Sequence, residues 1–220
     1  MKKPVFLFIA FASLFSAKAQ LSVASDANVI GQFGGIQTYW GLAQDVKVSY
    51  PIGSKTSAYL SVGYAIPNKL KEAFSTQAYS PLTTPQVIRY QANTNRQLRQ
   101  AQMGIIQYLA GSHKAESGTN IYLLAGVGIM SVKASTSYSV DVDTAEYPQI
   151  RPYAGEGSAE SFSVNGGLGI EQPLGGNFFW YAEAKGWLPT KSFSTPYLKQ
   201  AEKAPAVLVG VGIRVLFGYY

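Results

Sequence analysis

The stretch AVLVGVGIRVLFGYY (residues 206–220) carries two interleaved patterns. Val207, Val209, Val211, Ile213, Val215, Phe217 and Tyr219 hold one phase of a period-two repeat, and Gly210, Gly212, Arg214 and Gly218 hold the other. Successive side chains of a strand point to opposite faces. The stretch therefore reads as one long strand with an apolar face and a face of glycines and one cation. SFSVNGGLGIEQPL (161–174) and NFFWYAEAKGWL (177–188) repeat the design, with Glu171, Glu183 and Lys185 on the small or polar phase. Such strands are about twice the usual soluble length and match a tilted membrane crossing.

Working outward, further strands fall near 119–134, 98–110, 55–67 and 38–51, with Gln107 interrupting the apolar phase of Met103, Ile105 and Leu109 in 98–110. VASDANVIGQF (23–33) alternates poorly but is the one candidate for the remaining strand. Short turns at 51–56, 111–118 and 173–177 alternate with long polar segments at 68–97, 139–158 and 190–204. Short periplasmic turns and longer extracellular loops are the habit of outer-membrane barrels. The expected fold is an all-β, eight-stranded antiparallel up-and-down transmembrane β-barrel over residues 20–220, with both ends periplasmic.

Composition agrees. Charged residues are 14% of the chain, below the roughly 25% of soluble domains, yet no run beyond the leader is long and apolar enough for a membrane helix. There is no cysteine. Lys2 and Lys3, an apolar run over 4–15 and Ala17-Lys18-Ala19 before Gln20 read as a signal peptide (residues 1–19) cleaved between Ala19 and Gln20. Removing Lys2, Lys3 and Lys18 from the 18 basic residues leaves 15 against 12 acidic ones, no footprint for nucleic acid.

Alternation alone does not separate a membrane barrel from a soluble one with its faces inverted. The polar phase here is mostly Gly, Ser, Ala and Asn, which suits a crowded interior better than a wetted face. Trp40, Tyr50, Tyr64, Phe178, Trp180, Trp187, Phe217 and Tyr219 lie near strand ends, as interfacial girdles do.

Gly-x-Gly-Ile occurs three times, at Gly126/Gly128, Gly167/Gly169 and Gly210/Gly212. A dinucleotide loop needs a third glycine and a following helix, and neither is present. The six glycines are expected to face the lumen, where they permit close approach.

The leader ending AKAQ, the hairpin MGIIQYLAG…NIYLLAGVGI and the final VGVGIRVLFGYY resemble the small OmpA-like, porin-family outer membrane β-barrel proteins. The resemblance implies an integral outer-membrane barrel whose last strand is read by the barrel assembly machinery. That signal ends in an aromatic residue with apolar residues at alternate positions before it. Here Phe217 and Tyr219 match, with Tyr220 one residue beyond.

Six lumen charges are expected to form a network: Asp45, Lys47, Glu171, Glu183, Lys185 and Arg214. A two-fold turn at 173–177 would set Glu183 opposite Gly167, Lys185 opposite Asn165 and Arg214 beside Glu183. Buried charges must be paired. The network therefore reads as a structural plug, against a selectivity lining, a switch or a hydrolytic Glu171–Glu183 pair. His113, the sole histidine, falls in a short turn as a solvated residue, too far from the outer rim for a lipid hydrolase. The acidic residues Asp141, Asp143, Glu146, Glu156 and Glu160 lack the calcium-loop spacing. No catalytic residue, cofactor or resident metal is expected. The expected partners are outer-membrane lipids, lipopolysaccharide facing Lys69, Lys71, Arg89 and Arg96, and a protein at the long loops. The expected role is a non-enzymatic structural or surface-binding barrel, with a narrow channel or a lipid-modifying enzyme as alternatives.

Overall fold

The computed structural model describes residues 20–33, 39–114, 117–199, 201, 203 and 205–218. Residues 1–19, read above as a leader ending at Ala19, and the terminal Tyr219 and Tyr220 lie outside the described residues. The strands are β1 (Leu21–Gln32), β2 (Tyr39–Pro51), β3 (Thr56–Ala65), β4 (Asn68–Gln77), β5 (Val87–Ala110), β6 (Asn120–Tyr138), β7 (Gly155–Gly175), β8 (Phe178–Pro189) and β9 (Ala206–Phe217). All pairings are antiparallel. β1 pairs with both β2 and β9, and β3 pairs with β5, which closes a ring of eight. β4 continues β3 beyond Ile66 and Pro67 and pairs with the outer half of β5. Proline has no N–H to give a ladder, so the break falls where the sequence places it.

The register measures the stagger of the ring. Ile170 faces Ala182, which faces Val211, and the row continues through Ala27, Gln44, Tyr64, Arg99 and Ser131. It returns to β7 at Glu160, ten residues along the strand from where it began. A stagger of this size goes with strands tilted by roughly 35–45°.

The period-two faces sort as their chemistry requires. Val207, Val209, Val211 and Ile213 are exposed on β9, as are Phe162, Val164, Leu168 and Ile170 on β7. Leu42 and Val46 on β2 and Met103 and Ile105 on β5 extend the same belt. Soluble monomers rarely expose contiguous apolar patches beyond a few hundred Å²; an apolar belt running round a ring is solvated by lipid. Trp40 and Tyr50 mark its two edges on β2 (64% and 47% exposed). They are ten residues apart, roughly 33 Å along the strand and about 25 Å along the membrane normal at a tilt near 40°. Trp187 is a correction: it is buried, in phase with Glu183 and Lys185, and belongs to the lumen rather than to the girdle.

Segment 68–97 is also corrected. It forms β4, the turn 78–86 and the first half of β5, not an irregular loop. Here the outward residues Lys69, Lys71, Arg89, Asn93 and Asn95 face water, so the apolar alternation that marks the belt is missing. The ladder itself continues, and Phe74 stacks on Tyr90 at 5.8 Å. β6 and β7 rise beyond the belt in the same way.

Candidate functional site

The lumen is filled in layers. Nearest the periplasmic turns, Arg214 forks onto Glu171, donating from Nε to Oε2 (2.6 Å) and from Nη2 to Oε1 (2.7 Å). Its guanidinium lies 4.0 Å from the centre of the Phe179 ring. Asn120 Nδ2 donates to Glu171 Oε1 at 3.0 Å. Arg214 Nη2 also donates to the His113 carbonyl at 3.1 Å. His113 is buried, not solvated as the sequence suggested. Its turn folds back under the ring, and burial, then Lys114 and Arg214, hold its imidazole below the ordinary histidine range.

At mid-depth, Lys185 Nζ donates to Asp26 Oδ2 (2.8 Å) and Asp45 Oδ2 (2.9 Å) and lies 3.3 Å from Glu183 Oε2. Lys47 pairs with Glu183 and sits over the Tyr181 ring. Tyr122 Oη donates to Glu183 Oε1 at 2.8 Å. Asn28 donates to Asp26. The cluster joins three carboxylates and two ammonium groups from β1, β2 and β8. Above it lies an amide layer. Gln100 donates to Asn165 (2.6 Å) and Ser163 (3.1 Å), and Gln102 donates to Ser61 (2.7 Å).

The outer mouth is apolar. Phe193 and Leu198, from the segment between β8 and β9, pack with Ile30, Leu98, Met130, Val132, Trp187 and Leu208.

All six lumen charges read from the sequence face inward, but two register details differ. Glu183 lies opposite Gly169, and Lys185 opposite Gly167, two residues from the expected positions. The irregularity between Pro173 and Gly175 shifts the pairing. Arg214 lies opposite Phe179, four residues along β8 from Glu183, and meets Glu171 instead. Asp26 was missed. Its strand presents Ser25 and Ala27 outward between Val23 and Val29, so no clean apolar face betrays the phase.

The six repeated glycines share the inward phase, and three of them make room for a ring. A Cβ on Gly212 would lie 2.6 Å from Tyr181, and one on Gly126 2.8 Å from Tyr59 Oη. At Gly169 a Cβ would collide with the Tyr122 ring. Glycine makes room for inward tyrosines in a ring just wide enough for side chains. Gly167 and Gly210 meet no aromatic ring, and neither does Gly128. A Cβ there would run into the Ala101 carbonyl and lie 2.9 Å from Gln102, both on the neighbouring strand β5. Its constraint is therefore the close approach of β5 and β6 within the wall, not the filling of the lumen.

A second assembly stands outside the belt. Tyr90, Val142 and Tyr147 form a core with Phe74, Ile88 and Tyr138. Tyr147 Oη donates to the Pro85 carbonyl (2.5 Å), Tyr79 N to Glu146 O (2.9 Å) and Thr76 Oγ1 to Pro148 O (3.0 Å). Tyr153 N donates to Pro196 O (3.0 Å), which ties in the segment after β8. Gln86 clamps its own turn through Ser80 O and Thr83 O, leaving Leu82 90% exposed at the tip. The acidic residues of 139–160 do not converge: Asp143 accepts from Ala145 N and Glu156 pairs with Lys133. Of the basic set in 68–97, Lys69, Lys71 and Arg89 face outward, whereas Arg96 has the inward phase.

A closed eight-strand ring with an apolar outer belt and a polar, packed interior defines a transmembrane β-barrel of outer-membrane type. No protein-family model and no curated protein sequence matches the chain. Among solved structures, it is similar to Neisserial surface protein A at TM-score 0.54 and 12% identity, covering 89% of this chain and 96% of that one. It is also similar to a major outer membrane protein from Thermus thermophilus at TM-score 0.53 and 12% identity, covering 90% and 99%. At such identity the likeness is one of fold, and the fold is that of the small OmpA-like outer-membrane barrels.

Proposed function

We propose that this chain is a non-enzymatic, non-conducting outer-membrane protein that carries a rigid head for binding a protein at the cell surface. The observation that supports it is the bonding between segments 78–86, 139–154 and 190–199, which makes three connections into one body. A preorganised surface binds with less ordering cost than free loops. An exposed leucine on a clamped turn is the kind of apolar contact a protein partner covers. The packed charge, amide and apolar layers oppose a channel. Each lumen carboxylate is engaged by a cation, which opposes hydrolysis by a Glu171–Glu183 pair.

The outward Lys69, Lys71 and Arg89 stand above the belt and suit the phosphates of lipopolysaccharide, a charge-assisted contact. The barrel assembly machinery is the expected partner during insertion. Two measurements test the reading. Planar-bilayer recording should give no stable conductance. Replacing 80–84 with Gly-Ser residues should abolish partner capture by whole cells while leaving the barrel folded. A stable conductance abolished by altering Glu183 would overturn it in favour of a channel.

A further inference from the structure

Among the described residues, the outer wall carries four glutamines within the belt or at its edges, and three are satisfied. Gln97 donates to Tyr64 Oη (2.8 Å) and accepts from Arg99 (2.6 Å). Gln107 accepts from Thr56 Oγ1 (2.8 Å). Gln172 donates to Thr119 (2.9 Å) and accepts from Trp180 Nε1 (3.3 Å). Gln44 is the exception. Its amide reaches Ser25 Oγ at 3.4 Å, and its carbonyl oxygen has no partner among the described residues. It also lies deeper than an interfacial residue should. It is four residues inside Trp40 on β2, roughly 10 Å below the outer girdle at the tilt of this ring. A carboxamide oxygen left without a donor in hydrocarbon is costly, because no water is there to replace the missing bond.

The surface around Gln44 is concave. Ser25 and Ala27 on β1 are small and outward-facing, and Leu42, Tyr64 and Ile66 stand beside them as walls of an open groove of about 470 Å³. Small residues let membrane segments approach closely. Gln44 and its ladder neighbours Ala27 and Tyr64 occupy one row, so this recess is continuous across β1, β2 and β3.

We propose that this groove is the docking face for a second copy of the chain, closed by Gln44 on Gln44 across a two-fold axis along the membrane normal. Such an axis keeps every residue at its own depth, so Gln44 meets its counterpart. A carboxamide donates and accepts at once, and two of them close a reciprocal pair that neither a lipid tail nor an apolar wall supplies. The proposal rests on the bilayer-spanning reading.

The chain has no cysteine, so single cysteines report proximity cleanly. Ala27→Cys, Leu42→Cys and Val164→Cys would be oxidised with copper phenanthroline in native membranes. Leu42 lines the groove, and Val164 is exposed on β7, on the opposite wall of the ring. The expected result is a covalent dimer from the first two and little from the third. Adding Gln44→Leu to Ala27→Cys should lower the dimer yield by roughly tenfold, as loss of two inter-segment hydrogen bonds gives. Equal yields at all three positions, no dimer at Ala27→Cys and Leu42→Cys, or no effect of Gln44→Leu each overturn the proposal. Membrane partition and heat-shifted gel mobility are scored separately. A chain failing those tests overturns the bilayer reading, whereas one passing them without cross-linking overturns the dimer alone.

Discussion

Lys185 on β8 and Asp26 on β1 meet at 2.8 Å across the intervening β9, so one ion pair bridges the seam where first and last strands close the ring. The same ammonium serves Asp45 and Glu183. Removing it leaves three carboxylates facing Lys47 alone. Lys185→Met should cost about 3–5 kcal/mol, the usual penalty for an uncompensated buried charge. Asp45→Asn should cost far less, because the cluster already holds more carboxylates than ammonium groups. Urea unfolding in lipid vesicles measures both, and equal losses would show that the cluster is not an electrostatic unit.

The glycine–tyrosine fit predicts overpacking. Gly169→Ala and Gly212→Ala should each cost roughly 1–3 kcal/mol, since the methyl meets Tyr122 or Tyr181. Gly186→Ala, with its nearest neighbour at 3.8 Å, is the control and should be close to neutral. Shrinking the ring in Gly169→Ala/Tyr122→Leu should recover part of the loss. Thermal midpoints in detergent read all four chains.

His113 gives the pH dependence a sign. Its folded pKa is lowered, first by burial and then by Lys114 and Arg214. The unfolded chain therefore binds the proton more readily, and stability falls as pH drops below the ordinary histidine value of 6.5. His113→Asn should flatten the difference between unfolding curves taken at pH 7.5 and pH 5. An unchanged slope would mean that the turn is not packed in solution.

Tyr147 tests the head without touching the barrel. Tyr147→Phe removes the bond to the Pro85 carbonyl, worth about 0.5–1.5 kcal/mol. Amide exchange should quicken across 78–86 and 139–154 while the strands of the ring keep their protection. Exchange rising everywhere would show that head and barrel are one cooperative unit.

What could be read from the sequence follows the chemistry each strand meets. β7, β8 and β9 alternate cleanly because lipid demands apolar residues on one side and the narrow lumen tolerates only small or paired ones on the other. Ring closure, strand parity and the inward phase of Glu171, Glu183, Lys185 and Arg214 were legible for that reason. β4 and the outer half of β5 were not, because above the belt the outward face meets water and Lys69, Lys71 and Asn95 erase the contrast. Asp26 hid in a strand whose outward face holds Ser25 and Ala27. The partner of Arg214 depended on the β8–β9 register, which sets it opposite Phe179 and which residue types do not announce. The shared phase of Gly128 and Gly126 was legible too, but not that both abut the neighbouring strand β5 and only Gly126 also meets a tyrosine. The head was out of reach for another reason: Tyr90, Val142 and Tyr147 come together only through two connections folding on each other.

The ten-residue stagger has a consequence for the lipids themselves. A membrane helix that mismatches its bilayer can lean until it fits. This wall cannot, because its inclination is written into a closed set of ladder bonds from Ile170 round to Glu160. The distance between Trp40 and Tyr50 is therefore a rigid gauge of about 25 Å, the height of the apolar band in barrels of this type. In a bilayer of any other thickness the leaflets must adjust to it, and the elastic strain lies in the membrane rather than in the protein.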